Sequence, residues 1–185
     1  MQTFPIQTTP RLRLRLMRED DFPNLLRYVN HEAVFANILN FPEPYLESDA
    51  QNRLEFVTQG FQRGERYVFA MASREDDGFI GEIGIHLDKN HHRAEMGFWL
   101  GEPYWNRGLM REAVAAVLKF GFEEAKLHKI IATHYLSNPA SGKVLLSNGM
   151  VKEAEMKDHY FHQGEYRSIA QYRMLRDEFA KLSSH

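Results

Sequence analysis

The sequence of 185 residues has no cysteine, only two tryptophans, and no apolar run near the ~20 residues of a membrane span. Without cysteine there is no disulfide, no thiolate metal site and no thiol nucleophile, which fits a reducing compartment. Excess charge is lacking too. Lys and Arg number 23 against 25 Asp and Glu, a net charge of −2, so no bulk basic field points to nucleic acid. The first residues, Met-Gln-Thr-Phe-Pro, do not set a basic stretch before an apolar one, so no signal peptide is expected. Repeats, low-complexity tracts and linkers are absent. The expectation is a cytoplasmic protein with neither a nucleic-acid nor a membrane partner, folded as a single domain over 1–185 and carrying an ordinary 43% of hydrophobic residues.

What is present is clear patterning. Arg11–Leu16 alternates Arg and Leu, which predicts a half-buried strand with its arginines on the solvent side. Glu19–Asn30 reads as helical. Ser48-Asp-Ala-Gln51 reads as a capping box with Ser48 as N-cap, opening a helix whose Ala50, Leu54, Val57 and Phe61 share one face. Arg66–Ser73, Phe79–Leu87 and Arg93–Leu100 read as a meander, with Asp76-Asp77-Gly78 and Asp88-Lys89-Asn90 as turns. After Arg107 a helix carries the stripe Val114, Val117, Leu118, Gly121, Phe122 and Ala125. Lys129–Leu136 reads as a buried strand. Asn138-Pro139 opens a helix that Asn148-Gly149 closes. Val151–Tyr160 and Glu165–Leu175 form a hairpin, and Arg176–His185 reads as a polar tail. A strand–helix–strand unit in the middle can be parallel. The expected fold is α/β (mixed α+β): a central mixed, mostly antiparallel sheet of about seven strands with helices on both faces.

The most informative stretch runs from Glu95 to Glu112. It reads as a strand, a short loop and the first turn of a helix, with Gly108 between Arg107 and Arg111. Unpaired N–H groups and the dipole make a helix N-terminus suited to an anion, and glycine lets a phosphate approach the backbone. A pyrophosphate site is therefore expected there. No Walker-type lysine follows the glycine, which disfavours a nucleotide-triphosphate loop. His91-His92 is a poor chelate, because adjacent strand residues point to opposite faces, so no metal site is expected.

Three segments in this order, Ala94–Gly101, Tyr104–Ala113 and Asn138–Met150, resemble the GNAT superfamily of N-acetyltransferases and, within it, the RimJ/RimL type that acetylates protein N-termini. The resemblance covers about Thr8 to Leu175 and implies a GNAT-like fold, with acetyl-CoA as cofactor and CoA as product. It implies that the amides of Asn106, Arg107, Gly108, Leu109 and Met110 hold the pyrophosphate. Met110 stands where Gly or Ala is general, which would narrow the pocket. The backbone of Phe98, Trp99 and Leu100 would pair with the pantetheine arm, although these side chains also read as plain core. Gly97 would ease a bend or bulge. Asn138 would meet the pantetheine amides and Ser141 the thioester sulfur; both also read as ordinary first-turn helix residues. Arg111 or Lys143 would reach the adenosine phosphate, or be solvated helix residues.

The reaction this implies is acyl transfer to an amine, by direct attack on the thioester. A main-chain N–H near Leu100 would hold the oxyanion, and Ser141 would serve the leaving sulfur. Many members place a Tyr further along the same helix; Leu145 stands there instead. Candidate bases acting through water are Glu82, His86 and Glu95, the first two on one face of their strand. Where some relatives place a carboxylate in the later strand, Tyr160 lies nearest. The acceptor would be a protein N-terminus or a small amine, lying between Phe35–Tyr45 and the terminal hairpin. The alternative is a catalytically weak acyl-CoA-binding sensor. Sequence leaves monomer and homodimer both open.

Overall fold

The computed structural model describes residues 3–39 and 41–182. In chain order these form β1 (Gln7–Thr8), β2 (Leu12–Arg15), α1 (Phe22–Val29), α2 (Glu32–Phe35), α3 (Glu47–Gln62), β3 (Arg66–Ser73), β4 (Phe79–Asp88), β5 (Arg93–Leu100), α4 (Leu109–Lys119), β6 (Lys129–Tyr135), α5 (Pro139–Ser147), β7 (Val151–His162), β8 (Glu165–Leu175) and α6 (Arg176–Leu182). One eight-stranded sheet has the order β1-β2-β3-β4-β5-β6-β8-β7, and every neighbouring pair is antiparallel except β5–β6. The crossover between these two strands is α4, continued by a π-turn over Phe120–Glu124.

Alternation assigns the two faces of the sheet. Leu12, Leu14, Ile83, Ile85, Met96, Leu100, Ile130 and Ala132 pack under Ala113, Val114, Val117 and Leu118 of α4 and Leu145 of α5. On the other face Val68, Ala70 and Phe79 pack under Leu25, Tyr28 and Val29 of α1 and Ala50 and Val57 of α3. Helices thus cover both faces, as expected.

Several local readings change. The first helix is a 3-10 turn, Glu19–Asp21, leading into α1. The helix expected to start behind Ser48 begins two residues earlier, after Leu46, because the Asp49 carboxylate reaches back 2.8 Å to accept the Leu46 N–H. The tail expected to be merely polar forms α6, anchored where Phe179 stacks on Phe122 at 5.1 Å; residues 183–185 lie outside the described ones.

The arginine side of β2 is not wholly solvent-facing. Arg11 and Arg13 are exposed, but Arg15 is only 5% exposed and holds Asp21, 2% exposed, through two hydrogen bonds of 2.8 Å. Asp77 completes the set at 3.3 Å from Arg15 Nε. The cause is the bidentate fit of a guanidinium to a carboxylate, which offsets desolvation of both charges. Arg15→Ala strands the Asp21 charge in the interior. The expected loss in chemical denaturation is about 3–5 kcal/mol; a loss under ~1 kcal/mol would show the pair to be dispensable.

Candidate active site

The site grows from one topological event. β5 and β6 pair only from Arg93–Met96 against Lys129–Ala132. Beyond that, Gly97–Leu100 continue with β4 while Thr133–Tyr135 continue with β8, so the two parallel strands separate. The Gly101 N–H donates to Ile80 O at 2.9 Å, which fixes the alternation: the main-chain groups of Gly97 and Trp99 point to β4, and those of Phe98 and Leu100 face the gap. The Leu100 carbonyl accepts the Trp105 indole N–H at 2.7 Å, leaving its N–H directed into the gap. Phe98 and Leu100 are therefore placed to pair with an extended ligand arm; the Trp99 backbone is not. The β4–β5 register runs unbroken, so Gly97 makes no bulge. It leaves open space instead, with nothing within 4 Å of where a Cβ would stand.

At one end of this gap lies the N-terminus of α4. Gly108 is the N-cap residue at φ +74°, the left-handed region in which L side chains are strained. The Glu112 N–H to Gly108 O bond at 3.2 Å closes the first turn, so the amides of Leu109, Met110 and Arg111 have no partner within the helix. The Leu109 and Met110 side chains turn into the core, so the departure at Met110 does not narrow the loop. Asn106, Arg107 and Arg111 are exposed around it.

α5 borders the gap from β6. Asn138 caps it, its side-chain oxygen accepting the Ser141 N–H at 3.4 Å, and Pro139 takes the first turn. Ser141 is half-buried, Lys143 is exposed and Leu145 lies wholly in the core, so no phenol is available at that turn. The seat of α5 is tight. A Cβ on Gly142 would stand 2.7 Å from His134 Nε2 and 2.9 Å from the Tyr172 hydroxyl, and those two rings stack at 5.4 Å. Gly142→Ala gains helix propensity worth about 1 kcal/mol, but it must displace two packed rings. The expected net loss is about 1–3 kcal/mol, with a fall in turnover as Ser141 shifts. A thermal melt and one rate measurement check it, and a stabilised, fully active variant would refute it.

On the opposite face the gap opens into a cavity of 630 Å³. Phe41, Tyr45, Phe56, Trp99, Tyr135 and Tyr160 wall it, so the loop after α2 and the β7–β8 hairpin do face each other across it; Asn40, within that loop, lies outside the described residues. Glu82, 2% exposed, sits in the wall with both oxygens engaged. Arg53 donates to them at 3.3 and 3.0 Å and the Trp99 indole at 3.1 Å. The Arg53 guanidinium lies 5.3 Å from the ring centres of both Phe41 and Phe56. Glu82 thus enters the cavity already committed as an acceptor.

Glu95 differs. It is exposed into the cavity at the third of the four paired positions, just before the fork, with Thr133 Oγ1 at 3.4 Å and His86 directly across on β4. Burial, and then the Glu95 carboxylate, push the Tyr160 hydroxyl up, so it stays protonated. Burial against the wall, and then the Arg53 and Arg66 guanidinia, push the His86 imidazole down. Because the ring still reaches solvent at the cavity mouth, the two guanidinia are the firmer cause, and His86 is neutral at pH 7.

Sequence reasoning had no hold on Arg53, which is 29 positions from Glu82 and sits on a helix read only for its apolar face. Among the described residues no three His, Asp or Glu side chains gather as for a metal, and no helix is long and apolar enough to cross a membrane.

The parallel pair thus splays beside a helix start with three unpartnered amides, and an acid-bearing aromatic pocket lies beyond it. The chain belongs to the GNAT acetyltransferases: the family described as "Acetyltransferase (GNAT) domain" matches residues 11–151. It is 30% identical over 174 residues to the uncharacterized N-acetyltransferase YnaD of Bacillus subtilis, covering 93% of this chain and 98% of that one. It is 25% identical over 171 residues to the [ribosomal protein uS5]-alanine N-acetyltransferase of Escherichia coli, covering 86% and 85%. Among solved structures, a GNAT-family acetyltransferase from Bacillus anthracis matches at TM-score 0.82 and 28% identity, over 94% of this chain and 99% of that one. RimL, a ribosomal L7/L12 α-N-protein acetyltransferase in complex with coenzyme A, matches at 0.85 and 20% identity, over 94% and 99%. The protein is an N-acetyltransferase that uses acetyl-CoA.

Proposed function

We propose that the acceptor is the α-amine of a polypeptide and that the single domain works in the cytoplasm. The observation that carries this reading is the fork itself: the gap between β5 and β6 joins the phosphate-ready helix start to an open cavity with Glu95 at its edge. In the wall of that cavity the Tyr135 hydroxyl is buried without a hydrogen-bond partner among the described residues. A peptide N–H or C=O group would satisfy such an atom; the methylenes of a polyamine would not.

Acetyl-CoA supplies an activated acetyl group. The amides of Leu109, Met110 and Arg111 hold its pyrophosphate, and Phe98 and Leu100 align its arm. The Leu100 N–H donates to the acetyl oxygen as charge develops there. Glu95 takes the proton leaving the attacking nitrogen, through a water, with the Thr133 hydroxyl donating to the carboxylate. The Ser141 hydroxyl donates a hydrogen bond to the departing sulfur, which leaves as the thiolate and takes its proton from solvent. An α-amine with pKa near 8 suits this modest machinery better than a lysine near 10.4.

The test is CoA release with short free-N-terminal peptides, the same peptides N-blocked but carrying a lysine, and spermidine. Peptides with a free N-terminus are expected to lead in kcat/KM by about tenfold or more, one hydrogen bond's worth. A lead for spermidine would overturn the acceptor assignment. Ser141→Ala should lower kcat about tenfold to hundredfold, the span of a hydrogen bond to a charged leaving group, with acetyl-CoA affinity unchanged. Unchanged turnover would remove Ser141 from the mechanism.

A further inference from the structure

The turn between β1 and β2 reaches the phosphate loop from about a hundred residues away in sequence. Glu112, on the first turn of α4, accepts from Thr9 Oγ1 at 2.5 Å, from the Arg11 main-chain N–H at 2.9 Å and from Arg11 Nε at 2.8 Å. With its Nε so fixed, Arg11 turns Nη1 onto the Arg107 carbonyl at 2.8 Å, inside the loop. Its Nη2 then stands 3.5 Å from where a Cβ on Gly108 would be, over the mouth of the amide cradle. The Arg11 side chain is half exposed, so the guanidinium is reachable, while Glu112 is largely covered. Burial disfavours the Glu112 charge, but the bonds from Thr9 and Arg11 outweigh it and hold the carboxyl below its usual range. Glu112 is therefore a carboxylate at neutral pH.

We infer that Arg11 is a further cofactor-binding residue: held by Glu112, it braces the loop through the Arg107 carbonyl and offers Nη2 to the pyrophosphate. A surface arginine that only paired with Glu112 would not need its other two nitrogens spread across a loop that carries a glycine in the left-handed region. Guanidinium is the group suited to do both at once, because its donors are rigid and coplanar. Lysine, whose donors all sit on one nitrogen, cannot hold the Glu112 carboxylate while also spanning the carbonyl and the phosphate.

This inference rests on reading the Gly108 loop as the pyrophosphate site, and the test keeps the two apart. Binding of acetyl-CoA and of its 3′-dephospho analogue is measured by calorimetry for wild type, Arg11→Ala and Arg11→Lys, and turnover is measured with S-acetyl-pantetheine, which has no pyrophosphate. Arg11→Ala is expected to weaken both CoA thioesters about tenfold to hundredfold, the span of a charge-assisted hydrogen bond, and to leave S-acetyl-pantetheine turnover unchanged. Arg11→Lys should recover only part of the loss. An equal loss with S-acetyl-pantetheine would make Arg11 a purely structural strut. A loss confined to the 3′-phosphorylated ligand would move it to the adenosine end. No loss at all would dismiss it. Any of the three overturns the inference, whereas a Gly108→Val variant that binds acetyl-CoA normally would instead overturn the loop reading on which it rests.

Discussion

Gly108→Val is expected to abolish binding of acetyl-CoA. Two effects act together. Gly108 sits at φ +74°, where a β-branched residue is a conformational outlier, so the N-cap must rotate and the first amides of α4 swing away from their common direction. The added isopropyl group would also stand in the mouth of the cradle, where a phosphate must meet bare backbone. In the free protein a Cβ here meets only Arg11 Nη2, at an ordinary 3.5 Å, so the fold is spared gross collision and the loss falls on the ligand. For wild type, saturation to about 100 Kd stabilises by about 2.7 kcal/mol, a rise in Tm of roughly 5–10 °C for a chain of this size. The variant should melt cooperatively and show no such rise, and ATP and NAD should shift neither protein. Gly108→Ala, with the same backbone strain and less bulk, should fall between. A full shift in Gly108→Val would place the pyrophosphate elsewhere.

The residues whose roles are local were legible in the sequence. Alternation in Arg11–Leu16 gave the strand and its buried leucines, the stripe from Val114 to Phe122 gave the covering helix, and Asn138-Pro139 marked the start of α5. These signals are periodic or confined to one turn. The two-residue β1 and four-residue α2 are too short to carry a period, and Leu46 shows no trace of being the residue before a helix until Asp49 is seen to reach back. What sequence could not supply is pairing across distance. Arg15 reads as one more solvent-side arginine until Asp21 and Asp77 meet it, and Glu82 reads as a free base until Arg53 and Trp99 take its lone pairs. The same is true of the fork. Nothing in Gly97–Leu100 or Thr133–Tyr135 taken singly says that two strands paired for four residues then separate; the separation comes from each strand following its outer neighbour.

Glu82 and Glu95 were equivalent as sequence, two carboxylates on adjacent strands, and the structure separates them by what each has left to give. A general base needs a lone pair free to receive a proton and a route to the nitrogen that releases it. Glu82 spends its oxygens on three donors and holds the cavity wall. Glu95 has one weak contact, from Thr133 at 3.4 Å, and stands in the open cavity beside the fork. Glu95→Gln keeps size and polarity and removes only the proton acceptor. The expected result is a fall in kcat of about 10²–10⁴, the range for a positioned base, with acetyl-CoA affinity held within about threefold. Raising the pH should recover part of the rate, since more of the acceptor amine is then neutral without help. Glu82→Gln should behave otherwise: it leaves the Arg53 guanidinium short of its counter-charge, so the melting temperature falls and KM for the acceptor rises, while kcat falls less. If Glu95→Gln turns over at the wild-type rate with an unaltered pH profile, positioning alone drives the reaction and the carboxylate is a bystander.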